Sequence, residues 1–162
     1  MKNLILVIVF AVIIGGMIWL GRPNRNISPE NQVAVSTSGL IIDKTFHDFG
    51  TISMQKGKVS TTYVLTNNSS DPIKTAKLYT SCMCTTAQFV QNGKVSELFG
   101  MPGHGPVPTL VRSIASGEKV DVIVIFDPAA HGPAGIGIIE RAVRLETVKG
   151  ITELNFRANV IP

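Results

Sequence analysis

The pattern of apolar and polar residues divides the chain into two unlike parts. Near its start, the seventeen residues from Leu4 to Leu20 read LILVIVFAVIIGGMIWL, without a single charged residue. As a helix this run would be about 26 Å long, which with its flanking residues approaches the roughly 30 Å hydrocarbon core of a bilayer. From Leu40 onward, apolar residues recur at every second position instead, which is the period of a β-strand with one buried face.

The apolar run predicts a membrane-spanning helix. A cleaved signal peptide has an apolar region of about 7–15 residues and a small-residue cleavage site, whereas this run is longer and ends in Trp19-Leu20-Gly21-Arg22-Pro23. We therefore predict an uncleaved signal-anchor over residues 1–21, with membrane contact through Leu4 to Leu20. One basic residue precedes the run and two follow it closely, so charge alone leaves the orientation open.

The rest of the chain predicts a tether followed by an all-β domain. Residues 22–39 are polar and lack periodicity, which indicates a flexible tether. In the clearest strand pattern, Leu154, Phe156, Ala158 and Val160 alternate with Glu153, Asn155, Arg157 and Asn159. Similar runs at 59–66, 73–79, 120–126 and 143–145 are separated by turn signals. No helical pattern follows residue 21, so we predict an antiparallel β-sandwich over residues 40–162. The Gly- and Pro-rich stretch 90–112 is predicted to be a long loop.

Charge argues against a nucleic-acid-binding function. The net charge is +4, but three of the fifteen basic residues precede residue 26, which leaves twelve basic against eleven acidic residues. The predicted domain is therefore nearly neutral, without a basic patch. Its carboxylates are scattered and no hydrolase or phosphate-binding motif is present, so we do not expect an enzyme.

The two cysteines carry the main chemical potential of the sequence. They lie one residue apart in Ser81-Cys82-Met83-Cys84-Thr85. On an extended strand such residues face the same way with Cα atoms about 6.6 Å apart, close to the upper limit of roughly 6.8 Å for an unstrained disulfide. Three interpretations remain open: packing or a strained bridge, a soft-metal site for copper or zinc, and thiol redox chemistry. Met101 and His104, in the loop that follows, are the candidate additional ligands.

Several motifs together resemble one bacterial family. They are Phe46-His47-Asp48-Phe49-Gly50, Gly57-Lys58-Val59, Leu65-Thr66-Asn67-Asn68, the Ser-Cys-x-Cys-Thr segment, Ile114-Ala115-Ser116-Gly117-Glu118 and Val124-Ile125-Phe126-Asp127-Pro128. In this order they resemble domain-of-unknown-function family 1573 (DUF1573), although Met83 stands where the family usually has glycine. The resemblance implies an immunoglobulin-like sandwich on the extracytoplasmic side of the membrane. It implies no established activity.

The sequence therefore predicts a single-pass, membrane-anchored, immunoglobulin-like module in the cell envelope. Non-catalytic binding of an envelope protein, or scaffolding, is the first function that we predict. Soft-metal binding through Cys82 and Cys84, with Met101 or His104, is the second. A thiol–disulfide protein that uses the same two cysteines is the third.

Overall fold

The computed structural model describes residues 34–36, 38–105 and 108–162. The predicted anchor over residues 1–21 lies outside them, as does most of the predicted tether. Among the described residues, no helix has the length and apolar character needed to cross a membrane. The anchor and the boundaries of the predicted domain therefore stay predictions.

The described residues form two β-sheets packed face to face. The first sheet has the strand order β1-β2-β4-β9-β6-β7 and the second has the order β3-β11-β10-β5-β8. The strands are β1 (Ala34–Val35), β2 (Leu40–Ile42), β3 (Phe46–Ser53), β4 (Val59–Asn67), β5 (Ile73–Thr80), β6 (Thr85–Gln91), β7 (Lys94–Val95), β8 (Ser113–Ile114), β9 (Lys119–Phe126), β10 (Gly137–Thr147) and β11 (Gly150–Ile161). Short 3₁₀ turns lie at Met54–Lys56 and Gly132–Gly135.

This architecture confirms the prediction of an all-β fold and agrees with an immunoglobulin-like sandwich. Among the described strands, all pairs are antiparallel except that of β3 with β11, which is parallel. The structure also adds β1, which pairs with β2 within the segment that the sequence assigns to the tether.

The core lies between the two sheets, as the alternating pattern predicts. Leu154, Phe156, Ala158 and Val160 on β11 are fully buried, whereas Glu153 and Arg157 are exposed and form ion pairs on the outer face with Arg144 and Asp48. The Phe156 ring contacts Phe126 of the other sheet, with ring centroids 5.3 Å apart. The Tyr63 hydroxyl crosses between the sheets and donates a hydrogen bond to the Asn155 carbonyl over 2.6 Å.

The prediction of a loop over residues 90–112 is wrong for part of that stretch. Strand β6 continues to Gln91 and forms a hairpin with β7. Further along, Phe99 is fully buried and bridges to Ala87, and Leu110 is buried as well. Glycine and proline are frequent there, but the side chains of Phe99 and Leu110 pack into the core. Burial of a large apolar side chain contributes roughly 1.5–3 kcal/mol.

Candidate functional site

The Cys-Met-Cys segment forms a turn between the two sheets and is not an extended strand. It connects β5 of the second sheet to β6 of the first. The Thr85 N–H donates to the Cys82 carbonyl over 3.1 Å and closes the turn. The Thr80 hydroxyl lies 3.0 and 2.9 Å from the carbonyl oxygens of Cys82 and Thr85, which fixes the turn to the end of β5.

The turn brings the two sulfur atoms together and directs Met83 away from them. Both cysteines are free thiols, with their Sγ atoms 2.7 Å apart. Cys82 is half-buried and packs against the edge of the core, whereas Cys84 is 3% exposed and belongs to the core itself. Met83 is 50% exposed. One sulfur is thus accessible from solvent while the other lies behind it.

His131 completes a three-residue cluster. Its Nε2 atom lies 3.1 Å from the Cys82 sulfur. The ligand atoms of Cys82, Cys84 and His131 all lie within 4.8 Å of one another. The sequence indicates only an exposed turn for His131, and the structure does place it in an exposed turn, but one that lies against the cysteines.

Strand pairing explains why His131 reaches the cysteines. The first residue of β6, Thr85, pairs with Phe126 at the end of β9, so the residues before β6 and after β9 meet at the same end of the sheet. The Asp127 N–H then donates to the Cys84 carbonyl over 2.9 Å. Gly135 packs closely against His131, since a Cβ atom at Gly135 would lie 3.3 Å from the Cβ of His131.

Arg141 contributes a positive charge from the second sheet. It pairs with the buried Phe156 across β10 and β11, so it occupies a position on the core face. Its Nη1 donates to the Glu140 carbonyl over 2.7 Å. Its buried Nε has no hydrogen-bond partner among the described residues, and the guanidinium interacts electrostatically with both cysteine sulfurs.

These neighbours shift the pKa values of the two thiols in opposite directions. Burial raises the pKa of Cys82, but hydrogen bonds from Cys84, His131 and Arg141 outweigh burial and lower this pKa to about 7. Burial and the adjacent Cys82 raise the pKa of Cys84 above its ordinary value. Burial lowers the pKa of Arg141, but its contacts with the two sulfurs outweigh burial and leave the pKa raised. At neutral pH, Cys82 is therefore the thiol that ionises.

The sequence suggests Met101 and His104 as additional ligands, and both lie in the loop after β7. His104 is exposed in the loop after β7 and is not a member of the three-residue group. Its N–H donates to the Met101 carbonyl over 3.3 Å, which closes a turn within that loop. Met101 is partly buried in the same turn. Ligation by either residue stays a prediction, while the structure offers His131 as the third donor.

Sequence reasoning did not identify His131 or Arg141 as site residues, although Arg141 left a signal. Arg141 lies two residues before Val143, so strand alternation places it on the inward face among apolar residues. For His131 the missing information was the pairing of β6 with β9, which depends on contacts between distant parts of the chain.

The family comparison covers the cysteines. The model of a family described as "Protein of unknown function (DUF1573)" matches residues 40–97. This confirms the resemblance over the segment from β2 to just beyond β7, and the description carries no activity. No curated protein matches the sequence.

Solved structures show a likeness of fold. A protein of unknown function from Porphyromonas gingivalis W83 gives a TM-score of 0.53 at 14% identity, covering 78% of this chain and 50% of that one. The secreted serine protease VesC from Vibrio cholerae gives 0.48 at 14% identity, covering 76% and 23%. The ASH / PapD-like domain of human CEP192 gives 0.44 at 14% identity, covering 86% and 98%. The chain thus spans a quarter to a half of the first two proteins. Only the first likeness exceeds a TM-score of 0.5, and at such identity it concerns the fold alone.

Proposed function

We propose that this protein is a membrane-tethered, extracytoplasmic binding module of immunoglobulin-like fold that holds a soft metal ion, Cu(I), at Cys82, Cys84 and His131. The observation that carries the metal site is the convergence of two sulfurs and one imidazole nitrogen within 4.8 Å. Thiolate and imidazole donors suit copper and zinc and disfavour hard cations such as Mg²⁺.

Donor number and charge favour Cu(I) over Zn²⁺. Structural zinc sites almost always have four protein ligands. Among the described His, Cys, Asp and Glu side chains, three donors meet here, namely two cysteines and one histidine. Two thiolates and one Cu(I) carry a net charge of −1, which the Arg141 guanidinium beside them balances. With Zn²⁺ the metal and the two thiolates together would be neutral. The partly buried Arg141 would then lack a counter-charge, which is costly.

Copper competition with matched histidine variants tests the site. The reduced full-length chain in detergent would be mixed with a coloured Cu(I) chelator of moderate affinity, and the loss of colour measured. We expect the wild type to withdraw one Cu(I) per chain and the Cys82→Ser/Cys84→Ser double variant to withdraw none. His131→Ala should weaken binding by about tenfold or more, in the range typical of disturbed metal sites.

His104→Ala is the matched control and should bind copper like the wild type. Weaker copper binding by His104→Ala, without a change in His131→Ala, would show that His104 and not His131 is the third ligand. A wild-type chain that neither competes for Cu(I) nor binds Zn²⁺ better than the double variant would contradict the metal site altogether.

The membrane tether and the export of the domain form the second part of the proposal. They are supported by the apolar run from Leu4 to Leu20 and by the family resemblance. An exposed module on a tether suits non-catalytic binding of another envelope protein or scaffolding. Protease added to intact spheroplasts should remove the domain, whereas protection until lysis would place it on the cytoplasmic side.

A further inference from the structure

The two thiols differ in accessibility as the two members of a disulfide-exchange pair must. The half-buried Cys82 can be reached by another molecule, while Cys84 lies behind it with 3% of its surface exposed. We propose that the reduced, metal-free pair reduces disulfide bonds in other proteins or peptides, with Cys82 as the attacking thiol and Cys84 as the resolving thiol. This activity does not depend on the proposed metal binding. Bound Cu(I) would block it by occupying both sulfurs.

The chemistry balances with the substrate disulfide as the oxidant. In the first step the Cys82 thiolate bonds to one substrate sulfur, the substrate S–S bond breaks, and the other substrate sulfur leaves as a thiolate that takes up a proton from water. In the second step Cys84 loses its proton to water and its sulfur bonds to Cys82, which breaks the mixed disulfide and releases the second substrate thiol. Two electrons pass to the substrate, and the protein ends with a Cys82–Cys84 disulfide.

The geometry favours the second step. The two Sγ atoms are 2.7 Å apart, so bond formation at about 2.05 Å requires a movement of less than about 1 Å. The turn is held at both ends, by Thr80 at Cys82 and by Asp127 at Cys84. Any mixed disulfide on Cys82 is thus formed next to the sulfur that resolves it.

Groups from three segments of the chain surround the attacking sulfur. His131 approaches it from the turn after β9 at 3.1 Å, and Arg141 approaches from the core face of β10. The Cys84 thiol donates to it from within the turn, over 2.7 Å. Hydrogen bonds and positive charge around a cysteine stabilise the thiolate, which is the nucleophilic form. Arg141 is therefore a positioning residue for Cys82.

A cleft borders the turn that carries the thiols, although neither cysteine lines it. It has a volume of about 360 Å³, and its lining includes Arg141, Ser81 and Phe46. Arg141 thus borders both the cleft and the cysteines. A substrate segment in this cleft could present a neighbouring cystine to Cys82.

Single-cysteine variants test the order of attack. The reduced full-length chain in detergent with a metal chelator would be mixed with a disulfide-linked fluorescent peptide pair, and the products analysed by mass spectrometry. The wild type should release two thiols per disulfide and gain an internal bond between the cysteines. Cys84→Ser should release one thiol and retain the other peptide on Cys82. Cys82→Ser should react at least about tenfold more slowly than the wild type, because the remaining thiol is buried.

Arg141 variants separate positioning from folding. Arg141→Met should slow formation of the mixed disulfide, and Arg141→Lys should restore part of the rate, because it returns the positive charge. Circular dichroism spectra would establish that each variant is folded. Equal reactivity of the two single-cysteine variants, or a wild type that consumes disulfide without forming the internal bond, would overturn the proposal. Neither result would bear on copper binding, which the competition assay measures separately.

Discussion

Arg141 is a charged residue at a position where the sheet pattern calls for an apolar one. Its neighbours on the core face of β10 and β11 include Val143 and Phe156, both fully buried. Burying a charge is unfavourable unless it finds a partner, and here the partners are the two cysteine sulfurs. The residue therefore links the end of the core to the candidate site.

The acidity of Cys82 predicts a pH profile for its reactivity. In the reduced, metal-free protein, the rate of Cys82 alkylation by iodoacetamide should rise as pH increases through about 7 and then level off, because the thiolate is the reactive form. Arg141→Met should move the midpoint to higher pH. Peptide mass spectrometry would follow Cys82 separately from Cys84. A wild-type midpoint at the ordinary cysteine value of about 8.5 would contradict the assigned environment.

Phe156 predicts the cost of disturbing the core next to the site. Its ring is fully buried and contacts Phe49 and Phe126. Phe156→Ala should lower the free energy of unfolding by about 3–5 kcal/mol, measured by chemical denaturation. Arg157→Ala is the matched control from the outer face of the same strand and should leave the denaturation midpoint nearly unchanged. Similar losses for both variants would mean that the faces of β11 are assigned wrongly.

At the scale of elements, Asn67 joins three segments of the chain at the end of β4. Val59, at the other end of this strand, pairs with Phe126. Its side-chain amide donates to the carbonyl oxygens of Asp71 and Ile114, each over 2.9 Å. Its Oδ1 accepts from the backbone N–H of Ser69. The turn after β4 and strand β8 are thus held by one buried side chain.

Removal of this junction should destabilise the sandwich. Asn67→Ala would remove the side-chain donor from the Ile114 carbonyl at a buried site, and an unsatisfied buried group costs roughly 1–3 kcal/mol. Thermal denaturation should show a clear fall in the midpoint. Asn68→Ala, the same substitution at the exposed neighbouring residue, should have little effect. Equal midpoints for the two variants would remove the assigned role of Asn67.

The strands were the predictable elements, and the site was only partly predictable. Alternation identifies β4, β9 and β11 because one face of each strand is buried, and the resulting period-two pattern can be read from a few consecutive residues. The cysteine pair can also be recognised in the sequence, because Cys82 and Cys84 are only one residue apart. His131 is not, because it lies 49 residues from Cys82 and approaches it only when β6 pairs with β9. Met101 and His104 are the candidates that closeness in sequence favours, but closeness in sequence does not determine proximity in a sandwich.

At the scale of the whole molecule, the start of the folded region can be tested. A chain that begins at Ala34 should fold, because β1 pairs with β2 and the buried Ser38 hydroxyl contacts that of Thr152 on β11. A chain that begins at Gly39 should also fold but melt at lower temperature, since it lacks both interactions. Circular dichroism at increasing temperature would compare them. A disordered spectrum for both chains would show that residues 1–33 are needed for folding.

The parallel pairing of β3 with β11 determines when the second sheet can be completed during synthesis. Asp48 and Arg157, which form an ion pair across these strands, are separated by 109 residues. Strand β3 is made early in synthesis, but its partner β11 is the last strand of its sheet to leave the ribosome. Contacts between such distant residues form slowly because a long loop must close first. Until residues 150–161 emerge, β3 lacks β11, its neighbour in the described sheet, so the second sheet can be completed only when synthesis of the chain is nearly finished.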